Sequence, residues 1–339
     1  MVAGILLLML LVPIHAQDLH VRLVGDLMLG SSFPEGYLPP QENADILAAL
    51  RPSLSVADIT AGNLEGVFCD DAESDKCAED PEHCYAFKMP SHFSHHLERA
   101  GFDFVSLANN HSNDFGDSCL THTENLLDSL GIAWSGRPGT IGYQVHDSLR
   151  VAFLAFHSGS QVNSSLHLQA VRTLIRNAVS QAEIVIVSVH GGGEGTDALH
   201  LPDSAEFYLG EPRGHLRAFA HAAVDAGADL VFGHGPHVAR AIEVYRDRLI
   251  AYSLGNFATY GRFNLSGERQ YGAILEVRLA PNGMFREGRI HGTVQRGWGV
   301  PEHDPENQFA QLVSALTLAD IEDPGILIHL DGTIQAIRP

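Results

Sequence analysis

The chain has 339 residues, with 41 acidic residues against 21 lysines and arginines, so its formal net charge at pH 7 is −20. This excess of carboxylates argues against nucleic acid or an anionic membrane surface as the main partner, because both are bound through clustered lysines and arginines. With 45 % hydrophobic and 18 % charged residues, the composition is that of a folded globular protein and excludes wholesale disorder.

The N-terminus carries an apolar run over residues 1–14, followed closely by the small residue Ala16. The run is shorter than the about 20 residues that a membrane-spanning helix needs. A run of this length before a small residue is typical of a secretory signal peptide. We therefore predict a signal peptide over 1–16 and a secreted or periplasmic protein. A buried N-terminal strand is the alternative, because the run contains no lysine or arginine.

The four cysteines are Cys69, Cys77, Cys84 and Cys119, and three of them lie in one acidic segment, residues 69–84. In an exported protein this arrangement predicts disulfides that hold an acidic loop. Four thiols allow three pairings, and the sequence does not select one. A zinc site is the alternative, although the segment lacks a close Cys-x-x-Cys pair.

Short apolar runs rich in β-branched residues recur along the chain and predict buried strands. They occupy residues 21–24, 104–107, 151–156, 184–189, 230–232, 249–254 and 273–279. Apolar residues spaced three and four apart predict helices over 168–180 and 215–227, and Gly227 supplies a stop for the second. A further helix is expected near 118–130. This alternation of strands and helices predicts layers of an α/β protein.

The C-terminal third departs from this alternation. Residues 271–296 predict two consecutive strands around the turn Pro281-Asn282-Gly283. The tail, residues 305–339, predicts one helix and a short hairpin packed on the rest. Because no repeat, linker or compositional shift marks a boundary, we predict a single domain over 17–339.

Polar side chains follow five apolar runs at the point where each run ends. The runs are Ile59-Thr60 and the predicted strands at 21–24, 104–107, 184–189 and 230–232. The side chains are Asp26, Glu65, the segment Asn109-Asn110-His111 with Asp114, His190 with Glu194, and His234 with His237. Because the carboxyl ends of strands in an open α/β sheet line one crevice, we expect these side chains to meet there. Each residue alone is more often structural, but five coincidences favour a shared site.

The donor types in this set indicate a metal centre. Imidazole, carboxylate and amide groups suit divalent Zn, Mn, Fe, Co or Ni, whereas a thiolate site is not indicated. Two such ions about 3.5–4 Å apart form a clamp that hydrolyses phosphoesters or amides. The sequence therefore predicts a divalent-metal site of hydrolytic type.

The segments that carry these residues also resemble a known family. They are Gly25-Asp26-Leu27-Met28, Asn63-Leu64-Glu65, Leu107–His111 with Asp114 and Gly116, His190 with Glu194, Gly227–His237, and Tyr252–Phe257. In this order they resemble the CapA-type proteins of poly-γ-glutamate capsule synthesis, within the calcineurin-like metallophosphoesterase superfamily. The resemblance covers residues 20–260. It implies a four-layer α/β/β/α sandwich with the site at one edge of the paired sheets.

The resemblance further implies a role for each matching residue. It assigns one or two divalent ions, Mn, Zn or Fe, to the ligands Asp26, Glu65, Asn110, His190, His234 and His237. It makes His111 the group that protonates or steadies the leaving group, and Asp114 is either its partner or the cap of the helix near 118–130. Glu194 is a substrate-binding residue or orients His190. Ser253 and Asn256 bind a ligand or only form a turn.

Three departures from the family pattern bear on the metal centre. Met28 stands where phosphoesterases carry the second residue of an Asp-x-His pair, so one metal position is expected to be altered or empty. Gly235 stands at the middle histidine of the last motif; a ligand is then missing, or His234 and His237 both bind. The glycines 191–193 replace an aromatic wall, which predicts a wider or more flexible mouth.

These inferences predict an exported, divalent-metal-dependent hydrolase of phosphoester or γ-glutamyl amide bonds, linked by resemblance to capsule synthesis. The alternative is a non-catalytic accessory protein that keeps a degenerate metal site and binds capsule polymer or membrane-bound synthesis partners. Since the chain itself is strongly acidic, an anionic polymer would need the metals or a local arginine cluster, such as Arg213, Arg217 and Arg240, to bind.

Overall fold

The structure is a computed structural model that describes residues 17–41, 44–74, 76–77 and 84–337. The predicted signal peptide, residues 1–16, therefore lies outside the described residues, as does most of the segment between Cys77 and Cys84. Among the helices in the described ranges, none combines the length and the apolar character needed to cross a membrane.

The strands alternate with helices through the first two thirds of the chain and then follow one another. In chain order they are β1 Leu19–Met28, β2 Ile59–Leu64, β3 Val67–Phe68, β4 Lys88–Met89, β5 Phe104–Ser106, β6 Ala133–Ser135, β7 Gly142–His146, β8 Leu149–His157, β9 Ile184–His190, β10 Glu206–Tyr208, β11 Glu211–Gly214, β12 Leu230–His234, β13 Ile242–Tyr245, β14 Arg248–Ala251, β15 Asn256–Thr259, β16 Tyr271–Leu279, β17 Phe285–Arg296, β18 Val300–His303, β19 Ile326–Ile328 and β20 Thr333–Ala336.

The α-helices are α1 Arg51–Leu54, α2 Ser94–Ala100, α3 Gly116–Ser129, α4 Leu168–Val179, α5 Leu216–Ala226 and α6 Gln308–Asp320. Short 3₁₀ helices lie at Ser91–Phe93, Thr196–Ala198 and Gly267–Gln270.

The larger sheet has the strand order β19-β20-β17-β16-β1-β2-β5-β6, with β15 paired to β1 and β18 to β17. Strands β1, β2, β5 and β6 run parallel to one another. Strand β1 joins this parallel half to the antiparallel half, because it pairs with β16 in the opposite direction. The carboxyl ends of β1, β2 and β5 therefore open at the same edge of the sheet.

The second sheet has the order β13-β14-β12-β9-β8-β7. Its inner strands β14, β12, β9 and β8 are parallel, and the two edge strands are antiparallel to their neighbours. Inner strands that are buried on both faces are expected to be continuously apolar, and Ile184–Val189 within β9 has no exposed residue.

The two sheets pack face to face around one apolar core, in which Phe104 of β5 stacks on Phe153 of β8 with ring centroids 4.5 Å apart. Helices α1, α2 and α3 cover the outer face of the larger sheet, and α4 and α5 cover that of the second. Helix α6 contributes Phe309 and Val313 to the central core. The chain thus forms the four-layer α/β/β/α sandwich, which confirms the predicted fold class.

The helices predicted over 168–180 and 215–227 are present as α4 and α5, and Gly227 ends α5 with a φ of 111°. The hairpin predicted around Pro281-Asn282-Gly283 is β16 and β17. The run 249–254 gives a strand only as far as Ala251. The chain then turns, and the hydroxyl of Ser253 accepts from the backbone N–H of Gly255 at 3.3 Å within this turn.

Two disulfides, Cys69–Cys119 and Cys77–Cys84, use all four cysteines. The prediction of disulfides is confirmed, and the alternative of a cysteine zinc site is wrong. The first bridge ties the segment after β3 to helix α3. The second joins Cys77 to Cys84, and Cys84 lines the cavity described below.

Candidate metal centre

The candidate ligands lie where strands of both sheets end. Asp26 is near the end of β1, directly before a β-bulge, and Glu65 follows β2 immediately. In the second sheet His190 ends β9 and His234 ends β12, and these two residues are register partners. Because the two sheets pack face to face, strand ends of both sheets lie at one edge of the sandwich. This packing brings together residues that are far apart in the sequence.

Asp26, Glu65 and His190 form the tightest cluster. One ligand atom from each can be chosen so that all lie within 4.8 Å of one another. Nε2 of His190 is 3.4 Å from Oε1 of Glu65. All three residues have 0 % relative exposure, so the cluster is fully removed from bulk water.

Both histidines of the last motif also lie beside Asp26. Nδ1 of His237 is 3.0 Å from Oδ2 of Asp26, and Nδ1 of His234 is 3.9 Å from Oδ1. A Cβ at Gly235 would lie 3.0 Å from backbone atoms of Gly191 and 3.2 Å from the ring of His190. The glycine at this position thus permits close packing of the two loops, and His234 and His237 together supply imidazoles to the site.

A chain of buried amides positions the first-sheet residues. Nδ2 of Asn63 donates to Oδ1 of Asp26 at 2.8 Å. Asn109 donates in turn to Oδ1 of Asn63 at 3.1 Å, and its own Oδ1 accepts from the backbone N–H of His111 at 3.0 Å. This network fixes the loops after β2 and β5 relative to Asp26.

His111 and Asp114 form a pair at the cavity wall. Nδ1 of His111 is 2.8 Å from Oδ2 of Asp114, which also accepts from the backbone N–H of Phe87 at 2.9 Å. Helix α3 has Phe115 at its N-cap and no side-chain capping bond, so Asp114 is a partner of His111 rather than a helix cap. This contact leaves Nε2 of His111 to face the site, 3.9 Å from Oε1 of Glu65.

Burial and mutual charge shift the titration of these groups in opposite directions. Burial lowers the pKa of His190 well below its usual value and that of His234 to about 4. Burial and the charge of Asp26 raise the pKa of Glu65 well above its usual value. Burial would lower the pKa of His237, but Glu65 and Asp26 outweigh it and raise that pKa to about 10. His190 and His234 are thereby kept neutral, as metal ligation requires, whereas the neighbouring carboxylates favour the protonated form of His237.

Several buried polar atoms of the candidate ligands have no hydrogen-bond partner. They are Oε2 of Glu65, Oδ1 of Asn110, Nδ1 of His190 and Nδ1 of His234. Each buried group left unpaired costs about 1–3 kcal/mol. A divalent cation would satisfy acceptors of this kind, and carboxylate, amide and imidazole suit Mn, Zn or Fe. The residues present therefore fit the divalent metal that the sequence predicts.

The sequence of the chain matches the family model described as bacterial capsule synthesis protein PGA_cap over residues 20–260. The chain belongs to this family. The capsule biosynthesis protein CapA of Bacillus anthracis is 29 % identical over 308 residues, covering 84 % of this chain and 70 % of that protein. The PGA biosynthesis protein CapA of Bacillus subtilis is 29 % identical over 295 residues, covering 81 % and 72 %. The resemblance of this chain to the CapA-type proteins of capsule synthesis is thereby confirmed.

Among solved structures, a 5'-nucleotidase precursor from Thermus thermophilus is similar with a TM-score of 0.44 and 12 % identity. The match covers 88 % of this chain but only 59 % of that longer chain.

In this member of the capsule synthesis family, a cavity of about 580 Å³ opens beside the cluster. Of the predicted substrate-binding residues, Glu194 and Asn256 line it, as does the predicted ligand Asn110. Oε2 of Glu194 is 3.8 Å from Nε2 of His237, and Oδ1 of Asn256 is 3.1 Å from Nδ1 of the same ring. Ser253 does not line the cavity, and its hydroxyl donates to the backbone carbonyl of Val238 at 2.7 Å.

The cavity also has an aromatic wall that the sequence did not reveal. Phe87 packs on His111 with ring centroids 4.3 Å apart, and Phe263 packs on Phe87 at 5.1 Å and on His237 at 5.2 Å. These rings come from loops without any periodic pattern, so no sequence signal marks them. The structure therefore supplies an aromatic surface at this mouth from segments other than the glycines 191–193.

The arginine cluster named from the sequence is only partly at the cavity. Arg213 lines it, whereas Arg217 donates to the backbone carbonyl of Asp320 at 2.7 Å. Arg240 is fully buried and ion-paired with Glu206 at 2.7 Å. The expectation of a three-arginine patch is therefore wrong, because two of the three guanidinium groups are used within the fold.

Proposed function

We propose that this protein is an exported, divalent-metal-dependent hydrolase that cleaves a phosphoester or a γ-glutamyl amide. The observation that carries this proposal is the set of buried acceptors without hydrogen-bond partners, Glu65 among them, close to the His111–Asp114 pair. His111 lines the cavity, and its Nε2 lies 3.9 Å from Oε1 of Glu65. Acceptors of this kind suit a cation, and a histidine with one nitrogen held by a carboxylate is a common proton donor or acceptor.

Asp26, Glu65, Asn110, His190, His234 and His237 are the side chains that would hold the metal. When bound, a divalent ion lowers the pKa of water and polarises the bond under attack. Asn63 keeps the carboxylate of Asp26 oriented through its 2.8 Å hydrogen bond. Partners of this kind, one contact removed from a ligand, typically change metal affinity or activity by about 10–100-fold when mutated.

His111 would transfer the proton to the leaving group. Asp114 holds Nδ1 of His111, which directs Nε2 toward the site. Because Nδ1–H is donated to Asp114, His111 would act in its protonated form, which that carboxylate stabilises. During cleavage, the oxygen of water joins the phosphorus or carbonyl carbon, the bond to the leaving group breaks, and Nε2 gives its proton to the departing oxygen or nitrogen. The proton that water loses then returns to Nε2. General acid catalysis of this kind contributes about 10²–10⁴-fold to a rate.

Membership of the capsule synthesis family supports an anionic polymer, or a phosphoester related to its synthesis, as the substrate. The same membership supports membrane-bound synthesis proteins as partners. Two disulfides support a location outside the cytoplasm, because such bonds persist in oxidising compartments. We therefore propose that the activity belongs to a secreted or periplasmic protein.

Metal analysis combined with an assay tests the proposal. Purified protein should retain one or two equivalents of Mn, Zn or Fe and hydrolyse bis(p-nitrophenyl) phosphate or γ-glutamyl-p-nitroanilide. Asp26→Ala should lose both properties, whereas Asp331→Ala, at a side chain that is 61 % exposed on the C-terminal hairpin, should keep them. Folded wild-type protein without metal and without either activity would overturn the proposal.

The second candidate function is a non-catalytic accessory protein that binds polymer or partners. The observation that favours it is Met28, which is fully buried in the core although it stands where phosphoesterases carry a catalytic-site residue. Retention of metal without hydrolysis of any tested phosphoester or γ-glutamyl amide would favour this function over the hydrolase.

A further inference from the structure

Four cationic side chains line the cavity of this acidic protein: Lys76, Arg213, Arg262 and Arg269. Lys76 is ion-paired with Asp114, and Arg213 lies 3.2 Å from Glu194. In the described part of the chain, Arg262 and Arg269 have no carboxylate within ion-pair distance. Two uncompensated guanidinium groups therefore face the same cavity as the candidate metal centre.

Arg269 is positioned by groups that also contact the metal centre. Asn256 donates to the backbone carbonyl of Arg269 at 3.1 Å, and Oδ1 of Asn256 is 3.1 Å from Nδ1 of His237. The guanidinium lies against Gly195, where a Cβ would be 2.7 Å from Nη2. Its hydrogen bond to Oγ1 of Thr196 is long, at 3.5 Å. Most donors of Arg269 are therefore available to a ligand.

Arg262 is held in place by aromatic rings rather than by an acid. Its guanidinium carbon lies 4.9 Å from the ring centroids of both Tyr37 and Tyr85. Nη2 donates to the carbonyl of Cys84 at 3.2 Å, whereas the buried Nε has no partner. Stacking of this kind fixes the plane of a guanidinium and keeps its charge.

Deeper in the wall, Arg213 adds a third set of free donors. It is only 4 % exposed, and its Nε and Nη1 have no hydrogen-bond partner. Glu194 and Glu211 lie near its Nη2, so the arginine is charge-compensated while two of its nitrogens remain unsatisfied. Buried donors are usually hydrogen-bonded, so these two nitrogens of Arg213 can donate to an anion without breaking a bond within the protein.

We propose that Arg269 and Arg262, with the free donors of Arg213 behind them, form an anion subsite that selects substrates with a second negative group. This inference rests on the proposed hydrolase function and specifies which substrates it selects. The second group is a carboxylate or a phosphate, because both match the planar fork of a guanidinium. A cavity of about 580 Å³ is in the range of small-molecule sites, so both groups of one substrate segment can be accommodated.

Calorimetric titration of the metal-loaded full-length protein with glutarate and, separately, with glycerol 3-phosphate tests the subsite. Arg269→Gln should weaken binding of the preferred anion about tenfold or more, because a hydrogen bond to a charged group is worth about 1.5–3 kcal/mol. Arg269→Lys should recover part of the affinity through its charge. The anion that binds wild-type protein more tightly identifies the second group.

The matched control is Arg176→Gln, which removes the same charge from an exposed position on α4 and should leave both affinities within about twofold. Asp26→Ala tests whether anion binding at the arginines is independent of the metal. This variant should keep the portion of the anion affinity that depends on Arg269. Thermal unfolding checks that each variant is folded. Equal affinities for wild-type protein and Arg269→Gln, or equal losses in Arg176→Gln, would overturn the subsite.

The outcomes also separate this inference from the proposed function. Loss of anion binding in Arg269→Gln, in a protein that hydrolyses nothing, would retain the subsite and reject the hydrolase. Metal-dependent hydrolysis with unchanged anion binding in Arg269→Gln would retain the hydrolase and reject the subsite. In an active protein, Arg269→Gln should also lower kcat/KM for a dianionic diester relative to that for bis(p-nitrophenyl) phosphate.

Discussion

Strand β1 carries two clusters of histidines and carboxylates that differ in whether the carboxylate oxygens have partners within the chain. Near its carboxyl end, Asp26 meets Glu65 and His190 in full burial, and Oε2 of Glu65 has no partner. Near its amino end, Arg22 donates to Oε2 of Glu276 at 2.8 Å, and His20 lies 3.1 Å from Oε1. The second cluster is therefore neutralised by the chain itself.

The difference shows that residue types alone do not define a metal centre. His291 also lies 2.8 Å from Oε2 of Glu276, so both oxygens of that carboxylate have a cationic or polar partner. At Glu65 the nearest donors are longer, at 3.4 Å from His190 and 3.8 Å from His237. An unsatisfied carboxylate in a dry site is the feature that favours a bound cation.

The largest expected effect comes from neutralising the carboxylate at the centre of each cluster. Glu65→Gln should lower metal affinity at least about 100-fold, because it removes a charge from the site itself. Glu276→Gln changes the same atoms in the saturated cluster and should leave metal content unchanged. Metal analysis after dialysis of both variants measures the effect; equal metal contents would show that the first cluster is not the site.

A smaller expected effect tests the role of the His111–Asp114 pair beside the first cluster. His111→Ala should lower kcat about 100-fold for a phosphodiester with an alkyl leaving group, because a poor leaving group needs a proton. The loss should be much smaller with p-nitrophenolate, which leaves without protonation. Steady-state kinetics with the two esters measure this; equal losses would assign His111 a positioning role only.

The smallest expected effect is the pH dependence of stability that arises from the second cluster, around Glu276. Partial burial acts against ionisation, but hydrogen bonds from His291 and Arg22 lower the pKa of Glu276 from 4.5 to about 2. Ionised Glu276 therefore stabilises the fold above about pH 4.5, and this contribution is lost as the pH falls toward 2. His20 and Arg278 also face this carboxylate.

Glu276→Gln should accordingly lower the free energy of unfolding by about 1–2 kcal/mol at pH 7, after allowance for solvent screening. The difference from wild-type protein should shrink between pH 4.5 and 2. Urea unfolding of both proteins across this range measures it, and a difference independent of pH would refute the assignment.

The positions of the strand-end residues could be predicted because strand ends in parallel sheets share an edge. Asp26, Glu65 and His190 each follow an apolar run that was recognisable without the structure. The role of Asp114 could not be decided in this way, because its sequence position suits both a helix cap and a partner of His111. Only the packed loop brings its carboxylate 2.8 Å from the imidazole.

The sequence by itself determined the layered α/β architecture, the family and the strand-end residues that gather at one edge, because hydrophobic periodicity and motif order are local properties of the chain. Tertiary structure alone decided the cavity wall. Phe263, Arg262 and Arg269 lie in the connection between β15 and β16, Arg269 within its short 3₁₀ helix, and their side chains reach the site only through long-range packing. It also decided which arginines stay free, because pairing depends on contacts between segments distant in sequence.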